Sequence, residues 1–262
     1  MKKLFMAVML TFSASLQATT VDSVDVSQFV AFYDYTVQTQ DAEGNNVTDI
    51  VKLAVMVGSH VTSCANLHTY KKYMDGGEDI DELYHTALMH FPYDIWTNWP
   101  KGKQTSWDNV YPQDFLAEEP IPELHWEILN DSMATTTFRG ITWHARYEDS
   151  IPTTAGPWKL HGLPGLIVDA WSSDSIHHFA LTSMKYVSCP IRVEMNPNDQ
   201  IIKADKFEKY RNQIYRDSRY IKNPLYFVDP SKIKNVFVIK GHALADGIML
   251  INKAHVYQPI EK

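Results

Sequence analysis

Cysteine is almost absent from this chain, with only Cys64 and Cys189 among 262 residues. In an oxidising compartment the two can form one disulfide. Closing more than a hundred residues, it would remove about 4–5 kcal/mol of unfolded-state freedom. The alternative is two buried free thiols, and spacing alone does not decide between them. Long apolar runs are missing too. Leu4 to Phe12 has about half the ~20 residues that cross a bilayer, which excludes a retained transmembrane anchor. Basic clusters go no further than pairs such as Lys71-Lys72. That excludes a nucleic-acid partner and argues against an anionic membrane surface, since either needs a basic stripe to meet phosphate. There is no G-x-S-x-G elbow, no internal repeat and no low-complexity linker.

The N-terminus does carry a signal. Met1-Lys2-Lys3 is positive, Leu4 to Phe12 is uncharged, and Ser13 to Ala18 is mostly small. This three-part plan reads as a secretory signal peptide over residues 1–18, cleaved after Ala18. Residues 19–262 then read as one domain. Loss of Lys2 and Lys3 leaves 22 Lys and Arg against 31 Asp and Glu, so the exported chain is acidic.

Aromatic and β-branched residues at Phe29–Val37 predict a strand, and Ile50–Gly58 its return, joined by a turn at 41–46. Ile80, Leu83, Tyr84, Ala87, Leu88 and Phe91 recur at helical spacing, predicting an amphipathic helix over 78–91 that Pro92 stops. A second helix is expected over about 203–221, with Phe207, Tyr210, Ile214 and Ile221 on its apolar side. Residues 93–122 have little periodicity and read as a long irregular excursion bearing Trp96, Trp99 and Trp107. Strand patterns follow at 124–128, at 135–148 with a bulge or bend at Gly140, at 165–171 and at 178–187. The last patterns, at 235–240 and 247–257, read as a hairpin turning near Asp246-Gly247.

The most specific segment is Gly156 to Ala170, GPWKLHGLPGLIVDA. Leu163-Pro164-Gly165-Leu166 fits a type II turn, with Pro164 fixing φ and Gly165 supplying positive φ. Gly162 is expected to permit close backbone approach, and Leu166-Ile167-Val168 to begin a buried strand. By physical reading, Gly156, Pro157, Gly162, Pro164 and Gly165 form a structural motif.

The hexapeptide Gly162 to Ile167 resembles the signature of the GLPGLI family of exported bacterial proteins. Thr135 to Gly140 and Trp143 to Tyr147 resemble the two strands before that signature. Ile151-Pro152 and Gly156-Pro157 match its approach, and Leu53 to Gly58 with Thr62-Ser63 resemble the N-terminal strand and its exit. Asn130 to Met133 departs from the family, being shorter and without its cysteine. The resemblance implies an envelope location and a β-rich fold, and supplies no catalytic residues. The strand order is similar to that of lipoprotein-localisation factors. The expected fold is thus a β-rich α+β protein, a curved and mostly antiparallel sheet forming an incomplete barrel with two or more helices.

Reactive sets are sparse. Ser63, Ser172 and Ser173 lie beside strands, with His144 and His178 as conceivable bases, but no elbow organises a triad. His177 and His178 are adjacent, so on a strand they face opposite sides and do not share an ion. Glu82, His85 and Met89 share a helix face that suits a soft metal such as copper; the plain alternative is a solvated face. His60 and His68 flank Cys64 as a looser set. Glu118-Glu119 and Asp79, Asp81, Glu82 read as solvated carboxylates, not a facing pair. Trp96, Trp99, Trp107 and Tyr111 offer a stacking surface for sugar or peptide, or else a plug at the sheet edge. The expectation is an exported periplasmic or envelope protein, a non-catalytic binding or accessory module that needs no cofactor. Its partner would be an envelope protein, a peptide or a glycan. An exported peptidase-like hydrolase and a copper- or zinc-handling protein are the alternatives.

Overall fold

A computed structural model describes residues 21–41, 43–75, 90–91, 93–108, 115–194, 200–216, 236–239, 242–245 and 256–261. The expected signal peptide over 1–18, most of the expected helix 78–91 and the turn at Asp246-Gly247 lie outside these residues.

The chain opens on a long hairpin, β1 (Val21–Gln40) with β2 (Asn46–Gly58), in which Tyr33 pairs with Leu53 and Tyr35 with Val51. Its turn is built by Asp41, whose carboxylate accepts the backbone N–H groups of Glu43 and Asn45, and by Gly44 at φ 85. β3 (Thr62–Asn66) and α1 (Leu67–Asp75) follow. β4 (Tyr93–Thr97), β5 (Lys103–Asp108) and β6 (Phe115–Pro120) then form an antiparallel meander. This corrects the expected irregular excursion over 93–122. The turn residues Asn98, Pro100 and Gly102 interrupt the strands so closely that no period survives in the sequence.

β7 (Glu127–Asn130), β8 (Met133–Phe138) and β9 (Ile141–Glu148) continue antiparallel. The expected strand at 124–128 begins later, at Glu127. Arg139 and Gly140, at φ 50 and 75, make a two-residue hairpin turn and not a bulge within one strand. β10 (Leu166–Ser172), β11 (His177–Lys185), β12 (Pro190–Glu194) and β13 (Gln200–Ile202) lead to α2 (Ala204–Arg216). The described part of the expected helix 203–221 is therefore helical. β14 (Val236–Ile239) and β15 (His242–Ala245) pair on their own, so this hairpin turns four residues or more before Asp246-Gly247.

Among the described residues one large open sheet dominates, in the order β13-β6-β5-β4-β3-β2-β1-β11-β10-β9-β8-β7, with β12 also paired to β1. It is antiparallel except for β13 on β6. Two helices accompany it among the described residues. None of the described helices is long and apolar enough to cross a membrane.

Alternation along the central strands fills a core on each face. Leu53, Val55 and Cys64 face one, with Trp143, Phe179 and the loop residues Trp158 and Leu160. Ala54 and Met56 face the other, with Trp96, Cys189 and Ile191. This is why β2 is buried without a break from Leu53 to Val57. The two cysteines belong to different cores and are free thiols.

Candidate functional site

Between β9 and β10 the chain leaves the sheet at Glu148 and returns at Leu166, residues that pair with each other. The intervening loop folds inward, and Ala155 to Leu160 are buried without a break. A buried loop must satisfy its own backbone groups. Here Gly162 N–H donates to Thr154 O (2.8 Å), Leu160 N–H to Pro157 O (3.1 Å) and Ile167 N–H to Ala155 O (3.2 Å). Trp158 takes positive φ (54°), packs on Phe138 and Trp143, and donates its N–H to Cys64 Sγ at 3.3 Å.

The glycines exchange their expected roles. Gly162, not Gly165, has positive φ (95°), so the expected type II turn with Gly165 in the left-handed region does not form. Gly165 instead provides close approach: a Cβ there would lie 2.2 Å from Glu148 O. Gly156 does the same, since its Cβ would stand 2.5 Å from Leu160 O. Pro157 accepts the Leu160 bond, and Pro164 lies in the bend that leads into β10.

The charged residue of this loop goes into the protein. Lys159 is 2 % exposed, with Nζ 2.9 Å from Glu119 Oε1 and 2.5 Å from Glu261 Oε1. Arg139, in the β8–β9 turn, reaches Glu119 at 2.5 Å and Glu261 at 3.7 Å. On α2, Glu208 and Arg211 pair at 2.9 Å. Burial alone would lower the Lys159 ammonium; Glu261, Glu208 and Glu119 more than offset it, so its pKa stands above the ordinary lysine value. Burial, with the like charge of Glu208, pushes Glu261 up. The segment 256–261 that carries Glu261 is tied down by Val256 N–H to Gln40 O (2.8 Å) and by Asn212 Nδ2 to Glu261 O (3.2 Å). The cluster thus joins the loop, β6, the β8–β9 turn and the C-terminal segment.

Beside the loop lies a cleft of about 200 Å³, bounded by the start of β3, the end of β4 and residues 154–161. Three hydroxyl side chains and one amide line it: Thr62, Thr97, Thr154 and Asn98. None of the four makes a hydrogen bond to the described protein, and Asn98 is held at φ 68. Ile121 and Leu160 supply apolar wall. Cys64 also lines the cleft, but burial pushes its thiol up to about 12, so it is not a thiolate nucleophile at neutral pH. Burial lowers His161, whose ring donates to Pro122 O while Nε2 has no partner. Burial thus disfavours the charged form of this imidazole. No charged side chain lines the cleft. It offers hydrogen bonds and shape, without an activated nucleophile.

The residues singled out in the sequence disperse. Trp96 is fully buried and donates to Arg192 O, so it belongs to the second core and not to an exposed stacking surface. Trp99 packs edge-on against it, with ring centroids 6.2 Å apart. Trp107 lies on β5, its side chain outside the described residues, as is Tyr111. Glu82, His85 and Met89 also lie outside them. His144 Nε2 meets Ser173 Oγ at 3.0 Å on the outer face of the sheet, where His144 stacks on Trp171. His178 pairs with Asp169, and so does Arg146. Ser63 is buried, and Ser172 donates to Asp174. His60 is exposed, while the Cys64 thiol turns to Trp158. Glu118 pairs with exposed Lys103 while Glu119 enters the ion cluster, so the two do not form the solvated pair expected. Among the described residues no group of three His, Cys, Asp or Glu is placed to hold a metal.

Sequence reading missed the four cleft residues, which carry no pattern. Lys159 left a trace: one charge inside the otherwise apolar Gly156–Leu160 run.

No family model matches the chain, and no curated protein matches it. Among solved structures it is similar to PNGF-II in a P21 crystal form, at 13% identity and a TM-score of 0.48 over 73% of this chain and 34% of that one. It is similar to PNGF-II in a C2 form at 14% identity and a TM-score of 0.42, over 71% and 33%. The chain spans about a third of the length of these solved chains.

Proposed function

We propose that this is an exported envelope protein of the GLPGLI type, a binding or accessory module that holds its ligand without transforming it. The observation that carries the reading is how the Gly156–Ile167 segment uses its ionisable groups. Lys159 is consumed by two glutamates, His161 is neutral and tied to Pro122, and Cys64 is protonated. What remains open to solvent is a cleft whose hydroxyl and amide groups have no partner in the described protein. Such a site recognises and does not activate.

The incomplete barrel belongs to the same proposal. Arg139 of the β8–β9 turn touches Glu119 of β6, although these strands stand near opposite ends of the sheet order. A sheet that brings them together is strongly curved. The residues between β6 and β7 are tied to β8 and to the loop, Thr136 Oγ1 donating to His125 O and Trp126 Nε1 to His161 O.

The hydrolase alternative has a serine hydroxyl on an imidazole in Ser173 with His144, and that contact lies on an outer strand face with no described acid bonded to the imidazole. The test is turnover and labelling of purified protein. Peptide, ester and glycoside substrates are expected to stay intact, and serine- and cysteine-directed probes to label nothing. Turnover abolished by one substitution would overturn the proposal.

A further inference from the structure

We infer that the cleft beside the 154–161 loop binds an uncharged, hydroxyl-rich group, one sugar ring of a neutral glycan; this rests on the binding-module reading above. Size sets the first bound. About 200 Å³ is the space of roughly seven waters, below the usual range for drug-sized ligands and close to that of a single ring with its hydroxyls.

Charge sets the second. A carboxylate or phosphate entering this cleft would lose water and meet no cation, because Lys159 points into the ion cluster and His161 is neutral. A cationic ligand would meet no carboxylate, since Glu119 is occupied by Arg139 and Lys159. Hydrogen-bonding capacity sets the third. Thr62, Thr97 and Thr154 each donate one O–H and accept, and Asn98 supplies two donors and an acceptor. An apolar ligand would strip water from all four and return nothing. A ring bearing several hydroxyls, each both donor and acceptor, matches that set. Thr62 and Thr97 are paired neighbours on β3 and β4, Asn98 follows directly after β4, and Thr154 comes from the loop, so the cleft draws its polar groups from the sheet and from the loop.

The test is an amide NMR titration of the ¹⁵N-labelled full chain. The probes are the methyl glycosides of glucose, galactose, mannose and N-acetylglucosamine, with methyl glucuronide and alanyl-alanine as comparators. At least one neutral glycoside is expected to shift the Asn98 side-chain amide and the backbone amides of Thr62 and Thr154. Asn98→Gly, which tolerates the positive φ, and Thr154→Val should each weaken binding roughly tenfold, with spectra unchanged elsewhere. Equal or tighter binding of the glucuronide would overturn the inference. So would shifts at these amides with the dipeptide alone, which leave the binding-module reading standing. Conversion of a bound glycoside would overturn that reading instead, and no shift at the cleft with any probe would overturn the sugar-ring assignment.

Discussion

Lys159 Nζ and Glu261 Oε1 stand 2.5 Å apart, both side chains 2 % exposed. One comes from the loop before β10 and the other from the C-terminal segment. Removing one partner of a buried pair strands the other charge. Lys159→Met keeps most of the side chain's length and leaves Glu119 and Glu261 without the ammonium, with Arg139 against both and the charge of Arg211 acting on Glu261. It is expected to cost about 3–5 kcal/mol in urea unfolding. Adding Glu261→Gln should recover part of that loss, because the stranded carboxylate is removed; full additivity of the two would show that they do not interact.

The two loop glycines predict different outcomes from the turn glycines. Gly165→Ala places a methyl 2.2 Å from a backbone oxygen that cannot rotate away, and should abolish folding or cost well over about 3 kcal/mol. Gly102→Ala meets nothing within 4 Å and pays only for its positive φ (79°), about 1 kcal/mol. Thermal melts of the two variants check the contrast.

Acid and alkali should act through different groups. Burial would raise Asp25, but N–H donors from Val61, His60 and Val26 outweigh it, and its pKa lies below the ordinary 3.8. A depressed carboxylate stabilises above the unfolded pKa, and that support is lost as pH falls through the folded value. Lys159, raised above 10.5, stabilises fully below that value and loses its support as pH climbs through the folded one. Asp25→Asn should flatten the acid limb of the stability curve and Lys159→Met the alkaline limb. An unchanged limb in either variant would contradict its assignment.

Both thiols should be silent in the native protein. Cys64 and Cys189 are buried in separate cores, so a thiol reagent is expected to find no reactive group until denaturant is added, and then two. Finding none in denaturant without reductant would mean that the two are bridged.

The hairpin of Phe29–Val37 with Ile50–Gly58 was legible because alternation and a Gly-Asn turn agree in the sequence. The described part of the 203–221 helix was legible from Phe207 and Tyr210. The meander over 93–120 was not: Asn98, Pro100 and Gly102 make a tight turn that resembles loop composition, and Trp96 reads as exposed until β12 is seen to cover it. Gly162 and Gly165 exchanged roles because sequence marks where glycine is needed, not whether φ or space requires it. The cleft was invisible in principle. Thr62, Thr97, Asn98 and Thr154 are ordinary polar residues until three separate segments bring them round one space.

A loop that serves binding and stability needs Lys159 as a clamp and not as a reagent. Competitive labelling with an amine-selective acylating reagent at neutral pH, read by mass spectrometry lysine by lysine, measures this directly. The account predicts that Lys159 is among the slowest lysines to react in the native chain and becomes ordinary on unfolding. Rapid native-state acylation of Lys159 would mean an accessible, nucleophilic amine, and would contradict the assignment of this loop to binding and stability alone.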